Sequence, residues 1–187
     1  RLVYRGGELP LLETDFQESN TLYAANKIAC EHYLSAYAKT FDIPYTIFRV
    51  CVPYANLLSD QYSFGTVGNL ITQARNNGKI CLYGGGRVRR TFTHIQDLTR
   101  MILSASLHPG TVNQTYNIPG EDLSLYEAAG FVADSVEGVT IEGVDWPAFD
   151  FRIESGDTIF NGKKLTDILN LKAKHNFRDW ANGIRVS

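Results

Sequence analysis

The first helical pattern in the chain lies near its beginning. Apolar and small side chains recur at three- and four-residue intervals, which predicts a helix over about residues 21–39 with Asn20 or Ser19 as its N-cap. The helix is expected to end ahead of Pro44, because proline disfavours helical backbone in the preceding residue. One stripe along this helix holds Tyr23, Lys27, Cys30, Leu34, Ala38 and Phe41.

A continuous apolar run, "YTIFRVCV", begins at Tyr45, only a few residues after this helix. Its β-branched and aromatic side chains favour a buried strand. A helix followed at once by a buried strand is half of a βαβ unit, so the pattern predicts a parallel sheet.

Further helices and strands alternate along the rest of the chain. Strand-like segments are "ICLYGGG", "RTFTHI" and "TYNIPG", and "NNGK" reads as a turn. Helical patterns cover about residues 64–76, 96–107, 124–135 with Ser124 as cap, and 163–170. No repeat and no flexible linker interrupts this order, so the sequence predicts an α/β fold.

Composition narrows the class of protein. With 187 residues, 44% of them apolar and 20% charged, the chain can bury a core as an ordinary globular protein does. A net charge of −2 gives no electrostatic reason to bind nucleic acid or an anionic membrane. Cys30, Cys51 and Cys81 have no metal-ligand spacing, which favours reduced thiols in a cytoplasmic protein and no metal site.

The stretch "YAANK" places Tyr23 and Lys27 four residues apart, on one face of the predicted helix. A phenol has a pKa near 10 and is a poor base at neutral pH, but a neighbouring cation favours the phenolate. The pair therefore suits acid/base chemistry. In isolation, an exposed Lys and a half-buried Tyr on an amphipathic helix is the better interpretation of this pair, so the surrounding motifs decide.

Three blocks, in the same order, resemble the extended short-chain dehydrogenases/reductases of the nucleotide-sugar epimerase/dehydratase family. "YAANKIACEHYLSAYAKTFDIPYTIFRVCVPYAN" resembles the family's Tyr-x-x-x-Lys helix, Arg-containing strand and following loop. "LYGGGRVRRTFTHIQDL" and "RIESGDTIFNGKKLTDILNL" resemble two later blocks of the same family. The resemblance implies that residues 1–56 are the C-terminal part of a Rossmann-type parallel sheet domain. Residues 57–187 would form a small α/β substrate-binding domain, with about 94–110 packing back on the first.

The same resemblance implies the catalytic residues and the cofactor. Tyr23 would take a proton from a sugar hydroxyl while hydride leaves for the nicotinamide of NAD, and Lys27 would also hold the nicotinamide ribose. Val52 and Pro53 would reach the nicotinamide through their main chain. NADP is not excluded, because the residue that selects between the two cofactors belongs to the other half of the Rossmann domain.

The implied substrate is a nucleotide-diphosphate sugar. Arg90 would clamp the diphosphate, because a planar guanidinium can bond two phosphate oxygens at once. Arg152 would be the second clamp, and Tyr54 a further substrate-binding residue. For either arginine the simpler interpretation is a solvated side chain. Arg87 and Arg89 are expected at the surface.

His94 and Asp97 could form a charge pair. The simpler expectation is that His94 ends a strand and Asp97 caps the next helix.

Two departures from the family pattern qualify these expectations. The Gly-rich turn of the Rossmann fingerprint is absent, and "YGGGR" cannot replace it because a strand-like segment follows instead of a helix. The sequence thus resembles a fragment without the N-terminal Gly-rich half, with the catalytic Ser/Thr falling just before Arg1, and such a piece is expected to be inactive alone. Arg1 and Leu2 stand where family 4,6-dehydratases carry an Asp-Glu pair, which disfavours that reaction.

The expected function is NAD(P)-dependent C4 epimerisation of a nucleotide sugar through a 4-keto intermediate, with Tyr23 as acid/base. A reductase or decarboxylase on the same scaffold is the nearest alternative. A catalytically silent module that binds nucleotide sugar or another protein is the alternative from a different class. Family resemblance also implies a homodimer formed through the Tyr23 helix.

Overall fold

A computed structural model describes residues 3–4, 10–55 and 65–184. The helices are α1 Leu22–Phe41, α2 Gly65–Asn77, α3 Ile95–Ser106, α4 Leu125–Ala133, α5 Ala148–Arg152, α6 Lys163–Leu169 and α7 Phe177–Asn182. The strands are β1 Thr46–Arg49, β2 Val52–Tyr54, β3 Lys79–Tyr83, β4 Arg89–His94, β5 Gln114–Asn117, β6 Glu121–Ser124 and β7 Thr140–Val144. Arg1, Leu2 and the predicted boundary between residues 56 and 57 lie outside these described residues.

The strands pair in three small sheets, and most of the pairs are parallel, as predicted. β1 pairs with β5 from Thr46 opposite Gln114 to Arg49 opposite Asn117. β2 and β4 are parallel, β3 and β7 are parallel, and β6 adds to β4 in the antiparallel direction. Parallel strands joined by helices give the predicted α/β architecture.

Every helix that the sequence predicted is present, with its ends within about two residues of the expected positions, the usual uncertainty of such boundaries. The predicted N-cap of α1 is wrong, however. Thr21, rather than Asn20 or Ser19, has the extended backbone of a cap, and its hydroxyl accepts the N–H of Ala24 at 3.1 Å. At α4 the predicted Ser124 cap is confirmed as a full capping box with Glu127.

Among the described residues, five short elements were missed by the sequence analysis: β2, β6, β7, α5 and α7. The helices among them have five and six residues, too few for a 3.6-residue periodicity to emerge. β6 reads "EDLS", a polar segment that becomes a strand because it pairs with β4.

Two larger apolar clusters lie on different parts of the chain. One gathers α2, α4 and α7 around Tyr54, Ile80 and Phe92. The other packs α3 and α6 on the β1–β5 pair, with Phe48 and Val50 against it. α3 thus lies beside the first strand of the chain, where 94–110 is expected to pack, and β5 and α6 join it there.

The predicted cap of α3 is also wrong, because His94 takes that place. The Nδ1 atom of His94 accepts the N–H of Gln96 at 3.2 Å. Asp97 instead lies in the first turn at 1% exposure, where it accepts the backbone N–H groups of Lys174 and His175 and a bond from Arg100. Asp97 therefore fastens the segment that leads into α7 to the start of α3.

α1 is held to the rest of the protein by polar contacts more than by an apolar face. Ala24 is the one buried residue in this 20-residue helix. Across from the helix, Arg49 at the end of β1 donates to both oxygens of Glu31, at 2.9 and 2.6 Å. The side chains of this pair are 8% and 15% exposed, so they meet in a largely dry environment.

The same arginine ties in the beginning of the chain. Its guanidinium donates to the Tyr4 hydroxyl and, at 3.0 Å, to the carbonyl of Glu13. Burial acts to lower the pKa of Arg49, but its hydrogen bonds to Glu31 and Tyr4 outweigh burial and raise the pKa. Arg49 is therefore charged at every working pH.

β1 itself is less buried than its apolar sequence predicted. Arg49 is buried, whereas Thr46, Ile47 and Phe48 are only half-buried. These three residues border an open cavity beside α1, which is why an apolar run does not become a fully covered strand.

Arg49→Met is expected to lower the free energy of unfolding by about 3 kcal/mol, since it leaves the Glu31 carboxylate partly buried without its partner. Urea denaturation followed by circular dichroism measures this. The matched control is Lys163→Met, which breaks an exposed pair with Asp167 and should change stability by less than about 1 kcal/mol. An equally small loss in both variants would show that the Arg49 pair does not anchor α1.

Asp97→Asn is expected to remove a pH-dependent part of the stability. Burial acts to raise the pKa of Asp97, but hydrogen bonds from the backbone of His175 and Lys174 and from the His175 and Arg100 side chains lower it to about 2. Because the pKa is higher in the unfolded chain, the carboxylate stabilises the fold above about pH 4 by about 2 kcal/mol, and this contribution disappears as pH falls towards 2.

Urea denaturation of both proteins at several pH values between 2 and 7 checks this pH dependence. The stability difference between wild type and the Asp97→Asn variant should be largest near neutral pH and shrink in acid. A difference that stays constant across this range would contradict the assigned role of the carboxylate.

Candidate functional site

A cavity of about 400 Å³ lies between α1 and β1, and we call it the α1 cavity. Residues of α1 and all four residues of β1 form most of its walls, so residues far apart in the sequence line one cavity. Its lining residues are Val3, Tyr23, Lys27, Cys30, Glu31, Leu34, Thr46, Ile47, Phe48, Arg49, Val50 and Phe160.

Tyr23 and Lys27 both line this cavity. The Nζ atom of Lys27 lies 5.4 Å from the ring centre of Tyr23, so the ammonium sits over the aromatic ring. Tyr23 is 58% exposed, which leaves its hydroxyl accessible to a ligand. The structure therefore places the predicted acid/base residue and its cation side by side at the wall of a cavity.

Arg49 neutralises Glu31, an acidic residue that lines the same cavity as this pair. Glu31 is bound to Arg49 and also accepts the side-chain amide of Gln17 at 3.0 Å, so its carboxylate is already engaged. Its negative charge is balanced by the guanidinium and not by the Lys27 ammonium. Lys27 is thereby left to act on Tyr23 or on a ligand in the cavity.

A second cavity, of about 600 Å³, opens around Arg90, and we call it the Arg90 cavity. α2, β2 and β3 supply most of its walls, and the segment around α5 closes another side. Its lining residues are Cys51, Val52, Thr66, Asn69, Leu70, Gln73, Cys81, Leu82, Tyr83, Arg90, Leu125, Trp146, Asp150, Glu154 and Ser155.

Arg90 is not the solvated side chain that its simplest interpretation suggested. Its side chain is 13% exposed, and Nη2 donates to Glu154 at 2.6 Å. Its Nη1 donates to the carbonyls of Gly156 at 2.5 Å and Arg89 at 2.9 Å. A cation with this many acceptors has a fixed position, which suits it to hold an anion in the cavity.

The other predicted substrate residues do not line either of these cavities. Arg152 is exposed at the end of α5, with its guanidinium 5.9 Å from the ring centre of Phe149. Tyr54 is 1% exposed and packs against Phe177 and Trp180 in the core. Burial and the Glu121 carboxylate raise the pKa of the Tyr54 hydroxyl, so it stays neutral at physiological pH.

Of the two predicted main-chain contacts to the cofactor, Val52 lines the Arg90 cavity and Pro53 is exposed beside it in β2. Continuous chain links the two cavities here, because Arg49 and Val50 border the α1 cavity and Cys51 and Val52 border the Arg90 cavity.

Arg89 is half-buried and paired with Asp122 and Glu127, whereas Arg87 is exposed as expected. Sequence reasoning missed Glu154 and Trp146. Glu154 stands two residues after Arg152 in the segment that resembles the family. Only a cationic side chain was expected to bind the diphosphate, so Arg152 was predicted and Glu154 was not.

The glycine-rich turn behaves as its context predicted. Gly84, Gly85 and Gly86 all have positive φ, and the chain continues into β4 instead of a helix. Without a helix N-terminus this turn has no row of free N–H groups for a pyrophosphate.

Cys30, Cys51 and Cys81 are free thiols. Within residues 3–4, 10–55 and 65–184, no group of three His, Cys, Asp or Glu side chains is arranged to hold a metal ion. None of the helices in these ranges is both long and apolar enough to cross a membrane.

Comparison with curated proteins finds relatives with two related activities. The chain is 36% identical over 111 residues to a probable UDP-glucuronate 4-epimerase of Rhizobium meliloti, covering 57% of this chain and 31% of that protein. It is 29% identical over 121 residues to the dTDP-D-glucose 4,6-dehydratase of Mus musculus, covering 62% of this chain and 32% of that protein. The chain thus spans about a third of the length of these relatives.

Solved structures confirm the Rossmann-type α/β fold. Pal from Bacillus thuringiensis superposes with a TM-score of 0.84 at 22% identity, over 96% of this chain and 57% of that one. The UDP-glucuronic acid 4-epimerase from Bacillus cereus, in complex with UDP-glucuronic acid and NAD, gives a TM-score of 0.77 at 20% identity, over 96% of this chain and 56% of that one.

A family model, described as the NAD dependent epimerase/dehydratase family, matches residues 5–119. The match covers more than half of the chain and includes α1, the cavity-lining strands β1, β2 and β3, and Arg90. It confirms the resemblance inferred from the sequence motifs. The chain therefore belongs to the NAD dependent epimerase/dehydratase family.

Proposed function

We propose that the full-length protein epimerises a nucleotide-diphosphate sugar at C4, using NAD and passing through a 4-keto intermediate. The observation that carries this proposal is the placement of Tyr23 and Lys27 together on the wall of the α1 cavity. Family membership and a 4-epimerase among the relatives support the same reaction.

Tyr23 acts first as the base. Its phenolate takes the proton of the sugar C4 hydroxyl while the C4 hydrogen leaves as hydride, so that C4 is oxidised by two electrons to a ketone. NAD, when bound, accepts this hydride and later returns it. The ketone turns over in the site, hydride is added to its other face, and Tyr23 gives the proton back to the oxygen. No net oxidation results.

Lys27 is proposed to assist this base. Its ammonium lies over the Tyr23 ring, 5.4 Å from the ring centre, at the same wall of the α1 cavity. Lys27 is also proposed to hydrogen-bond the nicotinamide ribose, since Glu31 is already neutralised by Arg49. Val52 and Pro53 would approach the nicotinamide through their main chain.

The Arg90 cavity is proposed to hold the nucleotide diphosphate. Its volume of about 600 Å³ lies within the usual range for small-molecule sites, and Arg90 supplies a fixed cation at its wall. Tyr83 and Trp146, with ring centres 5.2 Å apart, add aromatic surface against which a base could stack. Arg90 carries the proposed contact, because Tyr54 is buried and Arg152 is turned towards Phe149.

Two other functions share part of this support. A nucleotide-sugar reductase or decarboxylase would use the same pair for a single hydride transfer, with net consumption or release of reduced cofactor. A 4,6-dehydratase is less favoured on the sequence at Arg1 and Leu2, although relatives of that activity are found. A nucleotide-sugar-binding module without catalysis is the alternative from a different class.

A homodimer through α1 is part of the proposal. Several large apolar side chains of this helix are exposed, more than a free surface usually carries in one place. They are Leu22, Tyr33, Leu34, Tyr37 and Phe41. Free thiols at the surface fit a cytoplasmic location.

Tyr23→Phe is expected to lower the rate of epimerisation at least about 100-fold, because it removes the proton acceptor. The full-length protein is incubated with NAD⁺ and a panel of UDP-, dTDP- and GDP-sugars, and proton NMR follows the sugar signals. The matched control is Tyr126→Phe, which removes a hydroxyl from an exposed position of α4 that lines neither the α1 cavity nor the Arg90 cavity.

A C4 epimer that forms without net NADH and is lost only in the Tyr23→Phe variant supports the proposal. Accumulation of NADH with a keto or shortened sugar would replace it by a dehydrogenase or decarboxylase. Binding of nucleotide sugars with no change in any sugar would replace it by the binding module.

A further inference from the structure

The anion-binding face of Arg90 is occupied by a side chain of the protein itself. Glu154 lies at the wall of the Arg90 cavity and accepts a hydrogen bond from Nη2 of Arg90 at 2.6 Å. We propose that Glu154 is an internal substitute for the diphosphate, so that a diphosphate ligand binds Arg90 only by exchanging with this carboxylate. This inference rests on the proposed function, because it assumes that the Arg90 cavity takes a nucleotide diphosphate.

The contact is preorganised by the backbone on both sides. The N–H of Thr91 donates to the carbonyl of Thr158, and the N–H of Thr158 donates to the carbonyl of Arg89, at 3.2 and 2.9 Å. This pairing holds the strand that carries Arg90 against the segment that follows Glu154. The pair therefore forms without ordering a loop, and little conformational entropy opposes it.

The carboxylate is held in place by a second donor. Oε1 of Glu154, the atom that receives Arg90, also accepts the N–H of Ser155 at 2.8 Å. The Arg90 and Glu154 side chains are 13% and 19% exposed, so water screens their attraction only in part. A diphosphate must therefore compete with a partner that is both close and sheltered.

Charge is the reason that exchange is favoured over simple addition. Nη1 of Arg90 donates to the Gly156 and Arg89 carbonyls, and Nη2 donates one of its two N–H groups to Glu154. Displacing Glu154 returns that N–H group to the cavity, so that Nη2 can offer both of its donors to phosphate oxygens. A carboxylate that stayed in place would repel the phosphate at close range.

Glu154 consequently sets how tightly the diphosphate part of a ligand binds. Removing its charge while keeping its shape leaves Arg90 with an uncompensated positive charge facing the cavity. Glu154→Gln is expected to strengthen the binding of inorganic pyrophosphate and of UDP by about tenfold, within the range measured for close charge pairs at interfaces.

The experiment is isothermal titration calorimetry of the full-length protein, which measures the dissociation constants of pyrophosphate and, separately, of UDP. Four proteins are compared: wild type, Glu154→Gln, the Glu154→Gln/Arg90→Gln double variant, and Asp167→Asn as the matched control. Asp167 is an exposed carboxylate in α6 that pairs with Lys163, so its replacement changes the net charge equally and breaks an ion pair away from the cavity. Circular dichroism confirms that each variant is folded, and Glu154→Ala serves if the glutamine variant is not.

Tighter binding in Glu154→Gln, absent in Asp167→Asn and lost again in the double variant, supports the exchange. Equal binding in wild type and Glu154→Gln overturns it and leaves the proposed function standing. If neither wild type nor Glu154→Gln binds UDP or pyrophosphate, both the exchange and the assignment of the Arg90 cavity to a nucleotide diphosphate are overturned.

Discussion

The buried ion pair between Arg49 and Glu31 is the contact on which the position of the proposed catalytic helix depends. α1 buries only Ala24, so apolar packing alone gives it little orientation against the sheet. Arg49 stands at the end of β1 and donates to both carboxylate oxygens of Glu31, one turn beyond Lys27. Tyr4 shares the guanidinium and also donates to the Asn117 side chain at 2.9 Å, which extends the network to β5.

This polar network explains how the protein can leave the α1 cavity open and still hold α1 in a defined position. β1 leaves its apolar residues half-covered beside the α1 cavity, while its last residue fixes the helix opposite. Cys51 and Val52, which follow Val50, line the Arg90 cavity. The proposed acid/base pair and the proposed diphosphate contact thus border two cavities that share one stretch of chain as a wall.

The sequence predicted the long helices, the parallel pairing and the Tyr23–Lys27 pair, because these depend on local periodicity and on residue spacing within one helix. The sequence could not show which arginine lines a cavity. Arg90 and Arg152 were both predicted to bind the diphosphate, but Arg90 donates to Glu154 at a cavity wall, whereas Arg152 lies over the Phe149 ring. Tyr54 was predicted as a substrate-binding residue of a loop, whereas it ends β2 and the packing of Phe177, more than 100 residues later, buries it. The cap of α3 was misplaced for the same reason, since Asp97 accepts hydrogen bonds from a distant segment and His94 caps the helix.

In the proposed reaction, hydride leaves C4 of the sugar and returns to the same carbon, while Tyr23 accepts the proton of the C4 hydroxyl and later returns it. The most direct test of this reaction is to supply the full-length protein and NAD⁺ with a nucleotide sugar that carries deuterium at C4, and to measure by NMR where the deuterium is found. The expected product is a C4 epimer that retains deuterium at C4, because the hydride of the proposed reaction never exchanges with water. An epimer with hydrogen at C4, or deuterium accumulating in reduced cofactor without an epimer, would contradict it.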